Sequence, residues 1–225
     1  MYNIYNHVYM RGIRMETVNK PNEKLRYAIM GGTFDPIHFG HLAAAEAVRE
    51  KLQCSKVIFI PTGNPPHKTG RILTASKYRY AMTSQAVRSN PYFEVSDIEI
   101  NRNGYTYTLD TIKQLKRLYG NDIELLFITG ADALLEIETW YKVKELLTQC
   151  SFVAVTRPGY DKTKLEQKLS ELRSKYNGVF FIVDVPGLNI SSTDIRNRMI
   201  SGSSIRYLLP EPVAQYIFEN GLYKE

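Results

Sequence analysis

The chain has 225 residues, 44% of them hydrophobic, enough to bury one sizeable core, and its 29 Lys and Arg against 23 Asp and Glu leave a formal charge of +6. The two signs are interspersed, so the surplus fits a polyanionic ligand such as a nucleoside triphosphate better than a concentrated nucleic-acid surface. Cys54 and Cys150 are too few for a disulfide framework or a zinc cage, and no apolar run approaches the roughly 20 residues that span a bilayer. With no apolar signal segment at the N-terminus, the expectation is a cytoplasmic protein without membrane or nucleic-acid partners.

Residues 1–24 mix Tyr, Asn, Arg and Lys without a period and read as a loosely ordered extension. From Arg26 onward short apolar runs alternate with helical patterns, the signature of βαβ units and a parallel sheet. Tyr27–Met30 reads as the first strand, His41–Gln53 as a helix, and Lys56–Ile60 as a strand stopped by Pro61. A Pro- and Gly-bearing loop covers 61–70, and a helix follows over Thr74–Arg88. Tyr92–Val95, continued by Asp97–Ile100, reads as a strand closed by an Asn101–Gly104 turn. Leu109, Ile112, Leu115 and Leu118 mark a helix face that Gly120 ends.

Ile123–Thr129 is the most apolar strand, as for one buried on both faces. A short helix, the strand Phe152–Thr156, a helix marked by Leu165, Leu169, Leu172 and Tyr176, and the strand Val179–Val183 complete the alternation. Helices over Ser192–Ile200 and Val213–Glu219 close the chain. The expected fold is α/β, a Rossmann-like, doubly wound, mostly parallel sheet over 25–225, with a small helical C-terminal subdomain from about 190.

The chemistry concentrates in Gly31-Gly32-Thr33-Phe34-Asp35-Pro36-Ile37-His38-Phe39-Gly40-His41, directly after the first strand, where a parallel sheet offers a ligand crevice. The glycines let backbone approach a bulky ligand, Asp35-Pro36 forces a turn, and His38 and His41, three apart at a helix start, can share one side. The helix N–H groups and dipole point at the same place. Together they form a phosphate cradle whose imidazoles can stabilise charge growing on a pentacoordinate phosphorus, worth ~3–4 kcal/mol per donor in comparable sites. Each residue alone fits a plain strand–helix turn; the combination does not.

Four further features accompany it. Pro65-Pro66-His67-Lys68 is a stiffened loop presenting two basic groups, or merely an exposed basic loop. Gly130-Ala131-Asp132 ends the buried strand, where the carboxylate can meet ribose hydroxyls or cap the next helix. Trp140 is core or a stacking surface. In Ile190-Ser191-Ser192-Thr193-Asp194-Ile195-Arg196, Ser191 or Ser192 is an N-cap, and hydroxyls plus Arg196 make a second phosphate-facing helix start.

Gly31–Leu42 resembles the signature of the nucleotidyltransferase superfamily, and class I aminoacyl-tRNA synthetases carry a related one, so the first motif alone does not choose the substrate. All the motifs together, in order and spacing, resemble the bacterial nicotinate-nucleotide adenylyltransferases from about Arg26 to the C-terminus. Thr33 stands where that family often has Ser.

The resemblance implies adenylyl transfer from ATP to nicotinate mononucleotide (NaMN), with Mg2+ held mainly by triphosphate and water. It implies catalytic roles for His38, His41, Lys68 and Arg196. ATP would meet Gly31, Gly32, Thr33, Phe34, Gly130, Asp132, Arg157, Ile190, Ser191 and Ser192. NaMN would meet Phe34, Asp35, His67, Lys68, Tyr105, Thr106, Thr108 and Trp140, with backbone N–H groups of 105–108 at the nicotinate carboxylate. Another adenylyl or cytidylyl transferase, and a tRNA- or nucleotide-binding module without catalysis, remain as alternatives. The oligomeric state, a homo-oligomer included, is open.

Overall fold

The computed structural model describes residues 24–65, 73–120 and 122–224. The extension up to residue 23, and Pro66, His67 and Lys68, lie outside them. Six strands form one parallel sheet: β1 (Leu25–Gly32), β2 (Lys56–Pro61), β3 (Phe93–Val95), β4 (Ile123–Gly130), β5 (Ser151–Thr156) and β6 (Phe180–Asp184). Their spatial order is β3-β2-β1-β4-β5-β6. Winding reverses between β1 and β4, which pair with Met30 opposite Ile128. At such a reversal the connections leave in opposite directions and a crevice opens beyond the strand ends.

Strand side chains alternate between two apolar layers because the pleat has period two. Ala28 and Met30 of β1 and Leu126 and Ile128 of β4 join one core; Ile29, Leu125 and Phe127 join the other. The first core is covered by α1 (Phe39–Lys51), α2 (Ser76–Val87), α7 (Ser192–Ile200) and α8 (Glu211–Glu219). The second is covered by α3 (Thr108–Tyr119), α4 (Ala131–Leu135), α5 (Val143–Gln149) and α6 (Thr163–Tyr176). Ile195, Val213 and Ile217 of the last two helices are buried in the same layer as Ala28 and Met30.

Two local expectations fail. Asp97–Ile100 is a turn, not a strand: the Asn101 N–H and side-chain amide both bond Asp97, and the Ser96 hydroxyl takes the Ile98 N–H. These short-range bonds compete with the ladder at the sheet edge. Leu118 is exposed while Leu109, Ile112 and Leu115 are buried, because a strict three-residue spacing drifts around a 3.6-residue helix and has turned half a circle after nine residues. Gly120 does end α3, at φ 87°.

Candidate active site

The C-terminal ends of β1, β4 and β5 open into a cavity of about 920 Å3. His38 is the N-cap of α1 and is buried; His41 lies one turn on. Their rings stack with centroids 3.8 Å apart, and the His38 N–H donates to His41 Nδ1 at 3.3 Å. An Nδ1 that accepts leaves the proton of a neutral imidazole on Nε2, so His41 is a donor there.

Desolvation, then the nearby Arg157 guanidinium, pulls His38 down to about 4. Desolvation and His38 itself pull His41 down to about 3. The pair is therefore neutral near pH 7. His38 Nδ1 is buried without a partner, an orphan that an incoming polar ligand can satisfy.

The glycines divide their work. A Cβ on Gly32 would lie 2.8 Å from the Phe34 ring, and one on Gly31 3.1 Å from the Phe127 ring, so both make room for aromatic packing. Gly130 has open space where its Cβ would stand and is the bare patch of cavity wall. Phe34 itself turns at φ 50° and buries its ring edge-on to His41, 5.1 Å between centroids.

Gly31, Gly32, Thr33, His38 and His41 line the cavity on one side, with Ile190, Ser191 and Ser192 close by. Gly130, Asp132 and Arg157 line it at the ends of β4 and β5. Thr106, Thr108 and Trp140 line its other end. Phe34, Asp35 and Arg196 instead line a smaller cavity of about 220 Å3, which shares Thr33, His41 and Ser192 with the first. Tyr105 lines neither and is half exposed.

The α7 helix start is bolted to the loop after β1. Ser191 caps it by accepting the Asp194 N–H. The Ser192 hydroxyl donates to the Pro36 carbonyl at 2.8 Å, and Arg196 donates to the Asp35 carbonyl at 2.6 Å. These two phosphate-facing candidates thus also hold backbone.

At the far end Trp140 is both surface and core: it lines the cavity while meeting Phe127 and Phe152 edge-on. The Thr106 N–H is already given to the Asn64 carbonyl, and the Thr106 hydroxyl, like His38 Nδ1, is buried without a partner. The donor that sequence reasoning placed in the Thr106 backbone is thus engaged, and a side-chain donor stands beside it. Glu99, a buried carboxylate of the cavity wall, accepts from the Thr111 hydroxyl, which also receives Arg102.

Sequence reasoning missed Gly63 and Arg79. A Cβ on Gly63 would sit 2.2 Å from the Glu99 carbonyl oxygen, so only glycine lets the loop after β2 lie against the turn before Thr106. Arg79 is fully buried on the stripe of Met82, Thr83 and Ala86. A basic residue at helical spacing with buried neighbours was the available signal.

A family model described as cytidylyltransferase-like matches residues 29–198. A Thermoanaerobacter sp. (strain X514) protein named "Probable nicotinate-nucleotide adenylyltransferase" is 56% identical over 202 residues, 90% of this chain and 96% of that one. A Moorella thermoacetica protein of the same name is 50% identical over 210 residues, 93% and 95% of the two chains. Among solved structures, a Plasmodium falciparum nicotinic acid mononucleotide adenylyltransferase complexed with NaAD superposes with a TM-score of 0.73 over 88% of this chain and 97% of that one, at 20% identity. At that identity the match carries the fold.

Proposed function

The chain belongs to the nicotinate-nucleotide adenylyltransferases of the cytidylyltransferase-like family, and from that membership and the cavity we infer that it transfers the adenylyl group of ATP to NaMN, giving nicotinate adenine dinucleotide and pyrophosphate in NAD biosynthesis. The observation that carries the chemistry is the stacked, neutral His38–His41 pair at the α1 N-terminus, facing the crevice between β1 and β4.

A phosphate oxygen of NaMN attacks the α-phosphorus of ATP in line. The new O–P bond forms as the bond to the bridging oxygen breaks, and that oxygen leaves with the electron pair on pyrophosphate. The nucleophile is already anionic, so no general base is required, and the protein's task is positioning and charge stabilisation.

His41 Nε2–H and the α1 N-terminus are the donors for the non-bridging oxygens, and His38 Nδ1 gains a partner with the ligand. Thr33, Ser191, Ser192 and Arg196 meet the triphosphate, Lys68 assists it, and Phe34, Ile190 and Arg157 border the adenylyl side. Gly130 and Asp132 take the adenosine ribose. Trp140 stacks on the nicotinate ring. Thr106, with its free hydroxyl, and the neighbouring backbone of Tyr105 and Thr108 receive its carboxylate, and His67 serves the same substrate, while Asp35 is engaged by Tyr223 and Thr74.

Mg2+ fits this site as a cation brought by the triphosphate. Among the described residues no group of three or more His, Cys, Asp or Glu side chains is gathered to cage one, and Glu99 and Asp132 are the cavity's carboxylates. When bound, the ion supplies positive charge to the departing pyrophosphate.

Cys54 and Cys150 are free and buried, and burial pushes the Cys54 thiol up to about 11, which fits a reducing, cytoplasmic setting without thiol chemistry. Among the described residues no helix is long and apolar enough to cross a membrane.

The test is pyrophosphate release with ATP against a panel of acceptors. NaMN is expected to exceed nicotinamide mononucleotide in kcat/KM by at least about tenfold, since donors at the ring substituent suit a carboxylate. Equal values would sink the acceptor assignment, and salt-sensitive tRNA binding without pyrophosphate release would replace the enzyme reading by a binding module.

A further inference from the structure

The loop after β1 leads into the helix start that carries the reacting donors, yet the groups that fix its path come from elsewhere in the chain. Arg79, closing the first turn of α2, is fully buried and donates to three main-chain carbonyls: Thr33 at 2.8 Å, Thr62 at 2.7 Å and Thr74 at 2.8 Å. Those carbonyls belong to the loop after β1, the residue just past β2 and the approach to α2. The Thr62 N–H in turn donates to the Gly32 carbonyl at 2.8 Å.

Beside it, the buried Asp35 carboxylate accepts from the Tyr223 hydroxyl at 2.7 Å and from the Thr74 N–H at 3.4 Å. Tyr223 lies 188 residues further along the chain. Burial and the Asp35 charge push its phenol upward, so it stays a donor. A guanidinium desolvated on three carbonyls is an expensive way to cap backbone if capping were all it did, since an apolar side chain on this helix face would cover the core as well.

We propose that Arg79 and Tyr223 are positioning residues, a two-sided brace that fixes the Thr33–Asp35 backbone so that the His38–His41 pair is aligned on the reacting phosphorus. Arg79 sets the Thr33 carbonyl and with it the peptide leading into Phe34. Tyr223 sets the Asp35 side chain immediately before Pro36. Neither side chain lines the main or the smaller cavity, so neither needs to touch substrate. Asp35 on this assignment acts from behind the loop, through Tyr223 and Thr74.

This rests on the adenylyl-transfer reading, and the wild-type enzyme separates the two. If it releases no pyrophosphate with ATP and NaMN, that reading has failed; if it does, the variants test the brace alone. Arg79→Lys keeps the charge but cannot reach three carbonyls, and Tyr223→Phe removes one hydroxyl and nothing else.

With kcat expressed per folded enzyme and thermal midpoints measured in parallel, Arg79→Lys is expected to lower kcat by about thirtyfold and Tyr223→Phe by about fivefold, with both KM values within about threefold of wild type. The double variant is expected to lose less than the product of the two, because both act on one stretch of backbone. A merely structural role would lower the midpoints and leave kcat per folded enzyme unchanged. That outcome, or strictly multiplicative losses, overturns the proposal. Should Arg79→Lys not fold, a Tyr223→Phe kcat within twofold of wild type overturns it alone.

Discussion

The two ends of the cavity are built differently. The loop after β1, from Thr33 to the His38 cap of α1, is held by side chains from across the chain: Arg79 from α2, Ser192 and Arg196 from α7, and Tyr223 beyond α8. The end proposed for the acceptor, from Glu99 to Thr108, is held mostly by its sequence neighbours, through Glu99–Thr111, Arg102–Thr111 and Arg102–Gln114, with Asn64 as an outside partner. Long-range pinning gives the donor side a geometry that only the complete fold can assemble. The acceptor side is a local module, in which a single glycine, Gly63, controls the approach of the neighbouring loop. Each end leaves one buried polar atom unsatisfied, His38 Nδ1 and Thr106 Oγ1. Each lacks a bond that a polar ligand can supply.

The comparison predicts that changes at the donor end act on kcat and changes at the acceptor end on selectivity. The largest effect is expected for His41→Ala, a loss of kcat of at least about 100-fold in a protein that stays folded. A kcat within threefold of wild type would remove His41 from the mechanism. Thr106→Val deletes the orphan hydroxyl. It is expected to lower the preference for NaMN over nicotinamide mononucleotide by about tenfold and, because an unsatisfied buried group disappears, to raise the folding stability by about 1 kcal/mol. Unchanged discrimination in steady-state assays would break the assignment of this end to the acceptor.

Gly63→Ala puts a Cβ against the Glu99 carbonyl, so the loop must move. The expected cost is ~1–3 kcal/mol by chemical denaturation, with a few-fold rise in KM for NaMN and little change for ATP. A rise confined to ATP would show that this loop serves the donor end instead.

The smallest effect is a pH slope. His38 and His41 titrate at about 4 and about 3 in the fold and at 6.5 in the unfolded chain. Between those values the unfolded chain binds more protons, so their contribution is fully present above about pH 6.5 and is lost as pH falls through about 4 to about 3. The thermal midpoint is expected to drop over that interval, and replacing both histidines by Asn should flatten the drop. Parallel wild-type and variant curves would mean that the imidazoles are not held neutral.

Much of this was legible before the fold. The alternating runs gave the parallel sheet, because strands buried on both faces must be apolar and their crossovers amphipathic. The His38–His41 spacing and a cap at Ser191 or Ser192 were legible because both are set within one helical turn, and the fold chose Ser191. What failed was also physical: Asp97 and Ser96 redirected an apparent strand through side-chain bonds, and Leu118 rotated off a face that a spacing of three cannot hold. Gly32 lines the cavity and is also required by the Phe34 ring, a contact invisible without the φ of 50° at Phe34. Gly63, Arg79 and Tyr223 were passed over because each meets partners far along the chain.

The sequence by itself determined the class of sheet, the two helix starts that carry the candidate donors and the family resemblance, since all three rest on local periodicity and short motifs. The tertiary structure decided which donors are free and which are already engaged. Hydrogen-bond partners such as Arg79 with Thr33, Tyr223 with Asp35 and Asn64 with Thr106 exist only once distant backbone is brought within about 3 Å. It also decided the charge of the two histidines, because desolvation is a property of the packed cavity and not of the residues that line it.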